Sequence, residues 1–399
     1  MNSRLLLRLA LPTFIFVLLL CGPAAAKDQS FSISKKLDLE NRFPSVALNT
    51  KTGDLLVVWV KKDYDDINNA KIYGALCVKN KAGKYKAKKA RLMSAPGDIC
   101  EWHPKAAYNP DDDSYLVVWA PWPDIKIRKV SKKGRTAAGI NTFTAGGDSR
   151  PVIAHIPVVH ATSTNSAGCY LLAYANRDVA DWGLYTCVLD ADGFVLGQAK
   201  LISGGYATQA DYPTDILRDD DGTYLIAHIK EDKTYGDAAH VARVRADGSL
   251  IKESRVGTTD TNNIGIVQLS KKLYLATFDD TDNDYVVRNQ LFKSNLKRKK
   301  GPFEPLGEGW SQECCLVKLE NSDYALQIVG VGSNNMYYRL IDPLGNFFGA
   351  AQLLRDEDSL FGAPSAVCLP GSNTVFVAYS LSHVSNNDEL RGLVFDAVE

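Results

Sequence analysis

The phrase NPDDDSYLVVW, Asn109 to Trp119, has an earlier counterpart in NTKTGDLLVVW, Asn49 to Trp59. A phrase used twice predicts a repeated structural unit, and the period of the repeat narrows the fold. Counted from an anchor proline to the bulky end of the next apolar run, Pro44 to Trp59, Pro104 to Trp119, Pro213 to His228 and Pro364 to Tyr379 share one separation of 15 residues. Asn263 to Phe278 and Glu313 to Ile328 keep that separation without the proline. Pro151 to Tyr174 is longer, its surplus falling in HATSTNSAG. Seven units result. Their anchors recur every 47 to 62 residues, in the range of solenoids and propellers.

Each unit reads as strands. A short β-run follows the anchor (PSVALN, PKAAYN, PTDILR), then a turn rich in Asp, Gly and Asn, then a nearly continuous apolar run (LLVVWV, YLVVWA, YLIAHI, LYLATF, VFVAYS). A run apolar on both faces suits a strand sandwiched between neighbouring sheets. A third strand, a Gly-bearing turn and a more polar fourth strand complete a four-stranded antiparallel blade. The last unit stops after its third strand, RGLVFDAVE, while FSISKKLDLE precedes the first anchor and resembles the fourth strands AKLISGG and AQLLRDE. The expectation is an all-β, seven-bladed propeller in which the N-terminal strand closes the last blade and removes the exposed sheet ends.

The first residues stand outside this pattern. Arg4 and Arg8, the apolar run Leu9 to Leu20 and the small residues Ala24, Ala25 and Ala26 predict a signal peptide over 1–26, cut before Lys27, and hence an exported, periplasmic or extracellular protein with one domain over 27–399. The apolar run is shorter than the ~18 residues of a membrane span, so the chain is not expected to span a membrane. Leu20 is bulky where lipid-modifying signals place Gly, Ala or Ser before their cysteine, which argues against a lipid anchor at Cys21. With 46 basic and 46 acidic residues the chain lacks the charge of a nucleic-acid binder. A closed ring asks for no second chain, so a monomer is expected. The repeat, roughly Pro-x-Val-Ala, then Tyr-Leu-Val-Val-Trp, then Asp-Ile and a Gly turn, resembles that of bacterial exported β-propeller proteins. The resemblance concerns scaffold residues and implies a fold and an exported setting.

Chemistry is sought at one end of the ring, in the loops that lead into first strands and join second to third. Those loops carry Trp102, Trp122, Trp182 and Trp310 beside Asp, Asn, Gln and Arg. Aromatic faces next to paired donors and acceptors suit a polyhydroxylated ligand, while loop packing is the structural alternative. His103, Arg150 and Tyr212 each directly precede an anchor proline, so equivalent blade positions converge on one axis, whereas Ala363 shows what scaffold alone accepts there. The expected ligand site is Trp102, His103, Arg150, Tyr212 and Trp310, for a glycan or an extracytoplasmic protein partner. The alternative is a carbohydrate-active enzyme, glycosidase or lyase, with Asp211 and Glu313 as its carboxylates. A purely structural envelope partner is a third class. NRFP, with Arg42, is similar to the Arg-Ile-Pro start of sialidases, but the aspartate boxes of that family are absent.

No cofactor is expected. Calcium is the one metal the sequence admits, through DYDDIN (Asp63, Asp65, Asp66) and DDTDND (Asp280, Asp282, Asp284), although neither run completes a calcium loop. The six histidines scatter along the chain, with His228 at a position that wedges between blades. The basic stretches Lys84 to Arg91 and Leu296 to Lys300 fall on or beside outer strands, where lysines discourage edge pairing. Cys169 and Cys187, on consecutive strands of one blade, are candidates for a cross-strand disulfide.

Overall fold

The computed structural model describes residues 29–398 apart from 36–38, 64–68, 96, 100–102, 146–149, 161–167, 177–182, 205–210, 233–235, 282–285, 304–313, 332–334, 357–359 and 382–388. The signal segment, Cys21, Trp102, Trp182, Trp310, Glu313 and most of both acidic runs therefore lie outside the described residues. What is described forms seven antiparallel sheets. Their first strands are Leu39–Leu48, Lys105–Asn109, Val152–Ile156, Tyr212–Arg218, Ile264–Ser270, Cys314–Lys318 and Leu360–Cys368. Each contacts the next, and the seventh contacts the first, so the sheets close into a ring around these innermost strands. The protein is a seven-bladed β-propeller.

The second strands carry the core. Every side chain from Leu55 to Val60 and from Tyr115 to Trp119 is buried, as the doubly apolar runs require. At equivalent positions on these strands Trp59, Trp119, Tyr174, His228, Phe278, Ile328 and Tyr379 are all buried, and each fills the wedge beside a neighbouring blade. Trp59 Nε1 donates to Asn41 Oδ1 at 2.9 Å, which satisfies the indole without breaking the apolar contact. Outer strands are the polar ones. In the first blade the outer strand is split into Tyr85–Ala87 and Arg91–Leu92, both paired with Lys71–Lys79, and the lysines of the first basic stretch lie there.

The last sheet has the order Gln29–Lys35, Glu389–Asp396, Thr374–Leu381, Leu360–Cys368, so the N-terminal strand does close the C-terminal blade. Gln29 also reaches the first blade: its Nε2 donates to the Tyr85 carbonyl at 2.6 Å and its Oε1 accepts from Tyr85 N at 2.8 Å. Phe31 lies across Gly392 and beside Phe376, with the ring centroids 6.1 Å apart.

The expected disulfide does not form. Cys187 pairs with Leu172 and Cys169 with Asp190, so the two cysteines point to opposite faces of the sheet. Cys187 packs with Leu172 and Tyr170 toward the second blade, and Cys169 with Leu171 and Ala173 toward the fourth. That orientation rules out a bond between them. A Cβ on residue 392 would sit 2.7 Å from Phe31 Cζ and 2.9 Å from Phe376 Cε2. Gly392→Val should therefore pry the closing strand off and cost roughly 1–3 kcal/mol of stability. Thermal melting checks this, and an unchanged midpoint would show that closure contributes little.

Candidate functional site

The anchor prolines explain themselves once the strands are in place. In the first blade the ladder slips between Arg42 and Ser45, in the fourth between Pro213 and Asp215, and in the seventh between Phe361 and Ser365. Proline is tolerated at such bulges because no ladder hydrogen bond is asked of it. Separately from these bulges, the residue before the proline sits in the left-handed region in the first three blades, Phe43 at φ 52°, His103 at φ 38° and Arg150 at φ 31°. None is glycine, and each precedes proline, a context that pushes the backbone toward extended conformations. Strain of this kind persists only where surrounding structure holds it.

These side chains meet. The Phe43 and His103 rings lie 4.2 Å apart, and the Arg150 guanidinium stacks 4.1 Å over the Tyr212 ring. Burial, aided by the positive charges of Arg150 and Lys105, holds the His103 imidazole well below its ordinary pKa. It is neutral at pH 7 and both donates and accepts. The row Phe43, His103, Arg150, Tyr212 thus crosses four consecutive blades at equivalent positions. His103, Arg150 and Tyr212 were expected from the sequence; Phe43 was overlooked, although its place before Pro44 is the same signal. Tyr212 is only 9% exposed, so its role is to support Arg150. Of the four tryptophans assigned to this end, Trp122 is the described one, and it is 76% exposed on the loop after the second strand of the second blade.

Beside Arg150 the fourth blade presents carboxylates. Burial first, then the charges of Asp260, Glu231 and Asp211, push Asp237 up to about 6, against the opposing pull of Arg150. Asp211, one of the two carboxylates named for the enzyme alternative, is fully buried and burial raises its pKa. Its Oδ2 lies 2.8 Å from Ser203 Oγ, which is 2.9 Å from Glu253 Oε1. One hydroxyl proton cannot serve both carboxylates. The chain is satisfied when Asp211 keeps its proton, donates to Ser203, and Ser203 donates to Glu253. Arg42, similar in sequence to a sialidase arginine, is engaged by Glu40 at 2.6 Å.

Deeper in the axis, Lys105, Asp215 and Cys315 stand on the first strands of blades two, four and six. These blades are not neighbours, so the groups share only the central channel. Burial pulls the Lys105 ammonium down, and burial pushes the Asp215 carboxyl up even though Ile266 N and Ile216 N donate to it. Asp280, offered as a calcium ligand, is buried and paired with Arg288 at 2.6 Å. At the opposite end of the ring a groove runs between the first and last blades, lined by turn residues such as Lys51, Lys84 and Asp396.

No protein-family model and no curated protein matches this chain in sequence. Among solved structures, the BP39L lectin from Burkholderia pseudomallei is similar at 13% identity and a TM-score of 0.63, over 92% of this chain and 98% of that one. A protein of unknown function from Dyadobacter fermentans DSM 18053 is similar at 12% identity and a TM-score of 0.57, over 92% and 98%. The intramolecular trans-sialidase from Ruminococcus gnavus is similar at 10% identity and a TM-score of 0.51, over 94% and 98%. At such identities the likeness is one of fold. Among the described residues no helix is long and apolar enough to cross a membrane.

A carboxyl raised from 3.8 to about 6 holds its proton more tightly folded than unfolded. Asp237 therefore favours folding below pH 4 and loses that contribution as pH climbs through about 6. In melts at pH 4 and pH 7.5, wild type should lose stability relative to Asp237→Asn on going to the higher pH. A difference independent of pH would place Asp237 in an ordinary solvated setting.

Proposed function

We propose that the protein is an exported glycan-binding propeller whose site is the rim formed by Phe43, His103, Arg150 and Tyr212, with Trp122 beside it on the same end. The observation that carries this reading is the left-handed backbone before three consecutive anchor prolines. A blade does not require it, as Ala363 before Pro364 illustrates. Its effect is to turn an aromatic, a neutral imidazole and a guanidinium toward one opening. Such a set is matched to sugars: C–H faces stack on exposed rings, and hydroxyls take the imidazole and the planar guanidinium fork. Trp122 is a large apolar ring left in water, which favours a surface that meets something else. The lectin among the structural neighbours is compatible with this reading. The exported setting rests on the N-terminal segment of the sequence.

A second reading is favoured by Asp237. A carboxyl poised near 6 beside other carboxyl groups has the character of a general acid, so a glycosidase at the same rim is the alternative. The two are separated by a glycan array followed by product analysis. Arg150→Ala and Trp122→Ala should each weaken glycan binding by about 1–3 kcal/mol with the fold intact. Under the binding reading Asp237→Asn leaves affinity within a fewfold and no product forms with either protein. Product from wild type that disappears in Asp237→Asn establishes the enzyme, and an array with no ligand at all removes both.

A further inference from the structure

The fourth blade breaks the wedge pattern. Where other blades place Trp, Tyr, Phe or Ile, it places His228, and His240 lies directly opposite on the next strand with ring centroids 5.6 Å apart. Their common face is turned toward the third blade, and Glu253 on the outer strand completes a cluster. Glu253 Oε1 is 3.3 Å from both His228 Nε2 and His240 Nδ1. The ligand atoms of all three lie within 4.8 Å of one another. His228 is fully buried, and its Nε2 and His240 Nδ1 have only the 3.3 Å approach to Glu253 Oε1, which falls short of hydrogen-bond geometry, while His228 Nδ1 and His240 Nε2 make no hydrogen bond. Buried imidazole nitrogens left so poorly satisfied are costly, and in native proteins such groups usually have an ion or water to account for them.

We propose that His228, His240 and Glu253 form a binding site for a divalent transition metal of the zinc type. Two ligands bonded to zinc at about 2.0–2.1 Å and separated by a tetrahedral angle stand roughly 3.3–3.4 Å apart, which is the separation of Glu253 Oε1 from each imidazole nitrogen. Two nitrogens and a carboxylate leave a fourth position. Asp211, with a buried Oδ1 that has no hydrogen bond and an Oδ2 tied through Ser203 to the same glutamate, is the adjacent group able to fill it or to hold a bound water. Imidazole nitrogens and a carboxylate are the ligand types that zinc takes. Lys230 is the competitor: its Nζ lies 3.1 Å from both Glu253 oxygens and supplies the positive charge when no metal is present. Its side chain is 22% exposed, so it reaches the cluster from the solvent side. Because neither histidine has an acceptor fixing its second nitrogen, affinity in the micromolar range is expected, below that of zinc sites with a complete outer shell.

Titration of the full chain with zinc by calorimetry, and with cobalt by visible absorption, tests the site. Wild type should bind about one equivalent, develop the d–d bands of a low-coordinate nitrogen–oxygen cobalt centre, and melt at higher temperature with zinc. His228→Asn and His240→Asn should each lower affinity at least tenfold, and Lys230→Met should raise it severalfold by removing the competing ammonium. Glu253→Gln preserves shape and most hydrogen bonding, so it carries the test should a histidine variant fail to fold, and it too should lose at least tenfold. Absence of stoichiometric zinc in wild type, equal binding by the histidine variants and Glu253→Gln, or weaker binding by Lys230→Met would overturn the proposal.

Discussion

One repeated contact underlies everything else in this molecule: the large residue that each second strand places in the wedge between two blades. Sheets that twist leave such a gap wherever they are packed radially, and a buried side chain with no polar obligation fills it best. Trp59, Trp119, Phe278 and Ile328 meet that demand with less than 1% of their surface exposed. The chain can vary its outer strands and turns freely because the wedges, not those parts, set the angle from blade to blade. The same logic makes His228 conspicuous. A polar ring at a wedge gives up dispersion and desolvation energy that Phe278 keeps, and that loss is tolerated only where the ring does something else.

The rim follows from the wedge by geometry. Blades of fixed angle bring the starts of their innermost strands to one opening, so a residue before each anchor faces the others across a short space. The backbone conformation before the proline then decides what that residue does. With extended backbone it would continue along the strand; at φ 31° to 52° it turns aside, and Phe43, His103 and Arg150 become a row. Arg150 over Tyr212 shows the economy of the arrangement, since a buried ring of one blade pre-orients the cation of the next.

Much of this was legible in the sequence, and the limits have physical causes. The separation of Pro44 from Trp59, repeated around the chain, is a direct image of strand length plus turn, so blade number and ring closure could be counted. The convergence of His103, Arg150 and Tyr212 followed from the same count. Side-chain direction did not. Whether Cys169 faces Cys187 depends on a pairing register that one residue in the intervening turn inverts, and the register puts them on opposite faces. His228 and His240 look scattered at a distance of twelve positions, yet a hairpin pairs them directly. Their meeting with Glu253 needed two registers at once. The positive φ of Phe43 has no sequence signature, because aromatic residues before proline are ordinarily extended.

Closure by the first strand has a temporal meaning. Ribosomes deliver a chain from its first residue, so Gln29–Lys35 emerges before any blade exists and has no edge to join until Glu389–Asp396 follows. Six blades can form from local hairpins while the seventh waits, and the pairing of Gln29 with Val394 spans nearly the whole described chain. Contacts so distant in sequence form slowly, which leaves a strand carrying Phe31 and Ile33 unpaired for much of synthesis. A nascent chain interrupted anywhere short of Glu389 never acquires the partner for its first strand. Ring closure is therefore set by the strand made last, because only Glu389–Asp396 offers Gln29–Lys35 an edge to pair with.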